Sequence, residues 1–241
     1  YRGELRAGVL NDVRRLDEKR LPLLVERFAA LADAPGAPLA RPVPRPRLRA
    51  DPRERTRVLE RLRLATDRPV VAFCPGAEYG EAKRWPQEHF AALATRVVAA
   101  GAQVWLVGSP NDKPIGDAIA RDTGPANIEN LCGVTTLAEA IDLLSLATAV
   151  VSNDSGLMHV AAALDRPIVA LYGSSSPGYT PPLATHARIL NLELACSPCF
   201  ERVCPLGHFR CLRDLAPDQV WQEIAAPIAA ELAGASPLAG G

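Results

Sequence analysis

The chain has 241 residues, 27 Lys or Arg against 27 Asp or Glu, and 48% hydrophobic content. That balance is wrong for a general nucleic-acid binder, which needs a clustered excess of basic side chains to replace counterions on phosphates. No apolar run is long enough to cross a bilayer and the start lacks a signal-peptide pattern, so a cytoplasmic location is expected. Because the chain opens on Tyr1 and its only methionine is Met158, it is expected to be a fragment or processed piece.

From Asn11 to Asp33, Val13, Leu16, Leu21, Leu24, Val25, Phe28 and Leu31 recur at helical intervals, which predicts two helices, the second starting at Pro22. Pro35, Pro38, Pro42, Pro44 and Pro46 then impose a stiff, extended linker. Arginines crowd the stretch from Arg41 to Arg63. They read as a solvated linker and helix in preference to a surface facing an anionic acceptor or a membrane. The expected division is therefore residues 1–68, then a domain over 69–233, then a disordered tail from Gly234.

At Pro69 the pattern changes to strands alternating with helices. Val70 to Cys74 is a short apolar run suited to a strand buried on both faces. A loop from Pro75 to Pro86 follows, then a helix from Gln87 to Ala100, closed by Gly101. Gln103 to Val107 predicts the second strand, with Gly108 to Asp112 as its exit loop and a helix from Pro114 to Asp122. A short third strand is expected over Asn127 to Leu131, and a helix capped by Thr135 or Thr136 runs through Leu146.

The run from Ala149 to Leu164 is a strand, a turn at Asn153-Asp154-Ser155-Gly156, and a helix. Pro167 to Tyr172 is a further strand with an exit loop over Gly173 to Pro177. This alternation describes a doubly wound parallel α/β domain, whose ligands gather beyond the carboxyl ends of the strands. Pro217 to Leu232 predicts a closing helix, striped by Val220, Trp221, Ile224 and Ile228 and kinked at Pro227.

The helix start after Asp154 offers free backbone amides at Ser155, Gly156 and Leu157 and the positive end of a helix dipole, which suits a phosphate. Asp154 either caps that helix or accepts from a sugar hydroxyl. His159 leans back toward the same place or is an ordinary core histidine. Lys83 supplies a cation, and Glu78, Asp112 and Asp154 supply carboxylates, a set suited to a nucleotide diphosphate. Trp85 reads as packing, and Glu78 stays undecided. Neither a Walker loop nor Gly-x-Gly-x-x-Gly occurs.

Cys74-Pro75-Gly76-Ala77-Glu78-Tyr79-Gly80, Ala82-Lys83-Arg84-Trp85-Pro86, Asn153 through Leu164, Leu171-Tyr172-Gly173 and Thr180-Pro181-Pro182-Leu183 together resemble the bacterial ADP-heptose:lipopolysaccharide heptosyltransferase II group of glycosyltransferase family 9. Arg2 to Arg6 and Leu10 to Val13 resemble the end of that group's N-terminal domain. The resemblance implies a two-Rossmann-domain GT-B enzyme, represented here mainly by its C-terminal donor-binding domain. It implies an inverting transfer of L-glycero-D-manno-heptose from ADP-heptose to the heptose of the lipopolysaccharide inner core, without a cofactor. By the same resemblance Lys83 and Asp154 are catalytic, while Gly76, Ala77, Lys83, Asp112, Asp154, Ser155, Gly156 and His159 bind the donor, Asp112 near the ribose.

The resemblance further implies that the general base, an aspartate of the N-terminal domain, lies outside this chain, which would bind the donor weakly without transferring it. Implied partners are ADP-heptose, the inner-core acceptor and, peripherally, the cytoplasmic face of the inner membrane, with no nucleic acid. Alternatives are heptosyltransferase I, or another GT-B nucleotide-sugar transferase.

Cys196, Cys199, Cys204 and Cys211 form a tight set near His208. In a reducing compartment they suggest a structural zinc or iron–sulfur site, or else a reduced cluster. A metal-dependent interaction module is the alternative from a different class. Cys74 and Cys132 read as small buried residues.

Overall fold

The computed structural model describes residues 10, 12–124 and 126–234. They divide into two compact units, one formed by the described residues up to 45 with 176–181 and the other by those within 46–175 with those from 182 on.

In the first unit the expected pair of helices is reduced to α1, Leu24–Ala29. The segment before it turns instead of coiling. The Asp17 carboxylate accepts from the backbone N–H groups of Lys19 and Arg20, and the Asp17 carbonyl from Leu21 N–H. Such local bonding competes with a helix. Asn11 lies outside the described residues.

The second unit begins within the proline-rich stretch. Helix α2, Pro52–Leu62, is capped by Asp51, whose carboxylate accepts from Arg53 N–H at 2.8 Å. Its residues Val58, Leu59 and Leu62 pack on the sheet, so this helix belongs to the second compact unit.

Six parallel strands follow: β1 Val70–Cys74, β2 Gln103–Leu106, β3 Ile128–Asn130, β4 Ala149–Asn153, β5 Ile168–Tyr172 and β6 Ala187–Asn191. Their order is β3-β2-β1-β4-β5-β6. The connections reverse direction between β1 and β4, so a crevice opens there at the carboxyl edge. Strand β6 went unpredicted because Ala-Arg-Ile-Leu-Asn is neither alternating nor wholly apolar, as befits a half-exposed edge.

Side chains alternate across the sheet, so each strand feeds two cores. Val71, Phe73, Val104, Leu106, Val151, Val169 and Leu171 pack beneath α3 (Gln87–Ala99), α4 (Lys113–Thr123) and α8 (Pro217–Gly234). Val70, Ala72, Cys74, Trp105, Val150, Ile168, Ala170 and Tyr172 pack on the other face beneath α2, α5 (Leu137–Leu144) and α6 (Gly156–Ala163). Cys74 and Cys132 are buried in these layers, and burial raises both thiols, Cys132 to about 12. A short α7, Arg210–Arg213, precedes α8. Helix α8 runs on through Pro227 to Gly234, and the expected tail beyond it lies outside the described residues. No helix among the described residues is long and apolar enough to cross a membrane.

Candidate functional site

The crevice between β1 and β4 is built by two loops. The first leaves β1 and carries a 3-10 turn, Glu81–Lys83. It is fastened by Trp85, fully buried, whose indole N–H donates to the Leu215 carbonyl at 2.8 Å and whose ring meets Phe90 edge-on. The second leaves β4 through Asn153, also fully buried. Its side-chain carbonyl accepts from Trp85 N–H at 3.0 Å, and its amide donates to the Pro75 carbonyl at 2.7 Å. One asparagine thus clamps both loops, a role sequence reading missed although Asn153 stands in the motif.

Lys83 and Asp154 meet in this crevice, with the ammonium donating to the carboxylate at 2.6 Å. Their side chains are 17% and 5% exposed, so the pair is largely withdrawn from water. Asp154 therefore spends its charge on Lys83, while Ser155 occupies the N-cap position of α6 and makes no side-chain cap bond. The first amides of α6 are left without helical partners, facing the rim. Gly156 is exposed there, and no atom lies within 4 Å of where a Cβ would stand.

His159, one turn on, is exposed and not in the core. Crowding by neighbouring atoms lowers its imidazole pKa, the Asp154 charge opposes that shift, and the Lys83 charge adds to it. The structure thus brings Lys83, Asp154, Ser155, Gly156 and His159 together.

Asp112 lies elsewhere on the rim and is buried. Its carboxylate accepts from the Ser109 N–H at 2.8 Å and the Ser109 hydroxyl at 2.7 Å, closing the turn after β2. Gly76 packs over it so closely that a Cβ would fall 2.3 Å from the carboxylate. Gly76 therefore serves this close approach. Ala77 is buried, and its carbonyl accepts from the Arg84 guanidinium at 3.2 Å. Glu78 is exposed, with a carboxylate oxygen 3.2 Å from the Ser109 hydroxyl oxygen, whose proton the nearer Asp112 carboxylate takes. On the far side, Ser174 and Ser175 leave β5 with buried hydroxyls that find no hydrogen-bond partner among the described residues.

The metal alternative for the cysteine set is left without support. Among the described residues no group of three or more His, Cys, Asp or Glu is arranged to hold a metal ion. Cys196, Cys199, Cys204 and Cys211 are free thiols around a cavity of about 20 Å³ shared with Ser174 and His208. Cys196 faces solvent, whereas Cys211 sits on α7 against the core. Cys204 takes backbone N–H groups, first that of Phe209, which lower its thiol pKa, while burial and then the neighbouring cysteines raise that of Cys211. The loop instead braces the Lys83 turn. Ala82 N–H donates to the Arg202 carbonyl at 3.0 Å, and Phe200 N–H to the Ser174 carbonyl at 2.7 Å.

A family model for Glycosyltransferase family 9 (heptosyltransferase) matches residues 1–210. The chain belongs to that family. As a member it is a transferase. Lipopolysaccharide heptosyltransferase 2 of Salmonella typhimurium is 43% identical over 93% of this chain and 67% of its own length. The protein of the same name from Escherichia coli is 44% identical over the same shares of each. A solved structure described as E. coli ADP-heptose LPS heptosyltransferase II superposes with a TM-score of 0.82 at 42% identity, covering 95% of this chain and 69% of that one. The fold is accordingly that of the family's GT-B glycosyltransferases.

Proposed function

We propose that the crevice between β1 and β4 binds ADP-heptose, and that the reaction it serves is inverting transfer of the heptose to the heptose of the lipopolysaccharide inner core. The observation that carries this reading is the Lys83–Asp154 pair set against the start of α6. It supplies a cation and unpartnered amides for a diphosphate, with a carboxylate beside them for a sugar hydroxyl. That the relatives are named lipopolysaccharide heptosyltransferase 2 supports this reading over heptosyltransferase I.

In this reading an acceptor hydroxyl attacks the anomeric carbon, the bond to the diphosphate breaks, and ADP leaves. Negative charge grows on the departing phosphate, and Lys83 with the α6 amides, already in place, stabilises it more than the ground state. No cofactor is assigned a step. Asp154 orients Lys83 and accepts from the heptose, Ser155 and Gly156 give amides, and His159 lines the sugar side. Gly76 and Ala77 shape the floor by backbone approach. Asp112 supports the adenosine side through the turn it closes. The enzyme would work at the cytoplasmic face of the inner membrane, and flotation with anionic vesicles at low salt checks peripheral contact.

Thermal protection tests the donor. ADP and ADP-heptose should raise the melting temperature while UDP-sugars do not. Equal protection by UDP-sugars, or none by ADP, would remove the reading.

A further inference from the structure

Lys83 does not stand alone beside its loop. The ring of Tyr79 lies 5.0 Å from the Lys83 ammonium and 5.1 Å from the Arg202 guanidinium, measured to the ring centroid. Tyr79 is fixed in turn, its hydroxyl donating to the Phe200 carbonyl. The backbone beneath is equally tight, for a Cβ at Gly80 would fall 2.3 Å from the Arg202 carbonyl oxygen. An arginine of the cysteine loop is thus delivered to the Lys83 turn by two independent fastenings.

A nucleotide diphosphate sugar arrives as a dianion, yet the Lys83 charge is already matched by Asp154. Glu78 and Asp112 add only negative charge, and the Arg84 guanidinium, though exposed, is engaged by the Ala77 carbonyl through both its Nε and its Nη2. Arg202 is exposed and makes no ion pair or side-chain hydrogen bond among the described residues, its chain neighbour Glu201 included. Its planar fork of N–H donors suits phosphate oxygens. The ring distances put the two cations no more than about 10 Å apart, a span a diphosphate closes with a hydrogen bond of about 2.9 Å at each end.

We propose that Arg202, presented by Tyr79, is a second cation of the donor site and contacts the diphosphate opposite Lys83. This rests on the donor-site reading above. The cysteine loop thereby contributes directly to ligand binding, beyond bracing the fold.

Titration calorimetry with ADP and with AMP, on the whole chain, tests it. Arg202→Gln should weaken ADP about 10-fold, as expected for one charge-assisted hydrogen bond, and AMP less than ADP. Arg202→Lys should recover part of the loss. Tyr79→Phe, which keeps the ring but loses its bond to the Phe200 carbonyl, should fall between wild type and Tyr79→Leu, and Tyr79→Leu should approach Arg202→Gln. Because Arg202 is exposed, its urea midpoint should not move, which separates binding from folding. If wild type binds ADP and Arg202→Gln binds it equally well, this inference falls alone. If wild type ignores ADP altogether, the donor-site reading falls and takes this one with it.

Discussion

Two aspartates, each in the loop leaving a strand of the same sheet, have opposite fates. Asp112, after β2, is folded back onto Ser109 and covered by Gly76, and its Oδ2 takes both bonds that close its own turn. Asp154, after β4, reaches across the switch point to Lys83 on another loop. What separates them is where the lone pairs go, not residue type or exposure, since each is only 6% exposed. A carboxylate spent locally stabilises a turn. One spent across a crevice holds a cation where a ligand can meet it.

The sharpest way to break this contrast is Lys83→Ala. It should leave Asp154 buried without a partner and lower unfolding stability by about 3 kcal/mol in urea titration. The same change should weaken ADP roughly 100-fold by calorimetry, for a lost charge-assisted contact.

Next in size, Gly76→Ala should cost about 1–3 kcal/mol through overpacking on Asp112. The loss should shrink in an Asp112→Ala background, a coupling readable in a double-mutant cycle. Full additivity would mean that Gly76 and Asp112 are independent.

Asp112→Asn and Asp154→Asn then sharpen the distinction. The first should cost about 1 kcal/mol of stability and weaken ADP only slightly, through the loosened turn on the adenosine side. The second should free Lys83, tightening ADP severalfold while erasing any advantage of ADP-heptose over ADP. Parallel behaviour of the two variants would dissolve the comparison.

The smallest effect is in pH. Burial lowers the His89 pKa and crowding lowers that of His159, so the folded chain takes up fewer protons than the unfolded one below the ordinary imidazole value of about 6.5. Stability should be full above that value and decline as pH falls toward the folded values. His159→Asn should flatten part of that slope in urea midpoints measured from about pH 8 to about pH 5.

Much of the parallel sheet was legible because strands buried on both faces are short apolar runs between turn residues. Val70–Cys74 falls where the sequence put it, and Thr136 caps α5 as expected. Edge strand β6 was not legible, since an edge needs no continuous apolar run. The failed helix before Leu21 had the right periodicity, but Asp17 offered its backbone a local alternative.

At the site, the spacing of Lys83 and Asp154 marked two loops of one rim. Their pairing was not readable, because sequence says nothing of how a strand order reverses. Asn153, Tyr79 and Arg202 were invisible for a related reason. Their roles depend on which carbonyl or ring a distant loop brings near.

The alternation of side chains along β1 and β4 has a consequence for motion. Each of these central strands is nailed into both helical layers, so neither layer can peel away and leave the other holding the crevice floor. The amides of Val150, Val151 and Ser152 should exchange with deuterium only when the whole sheet opens, at the rate set by global unfolding. Any local breathing that admits a ligand is therefore confined to the loops above them.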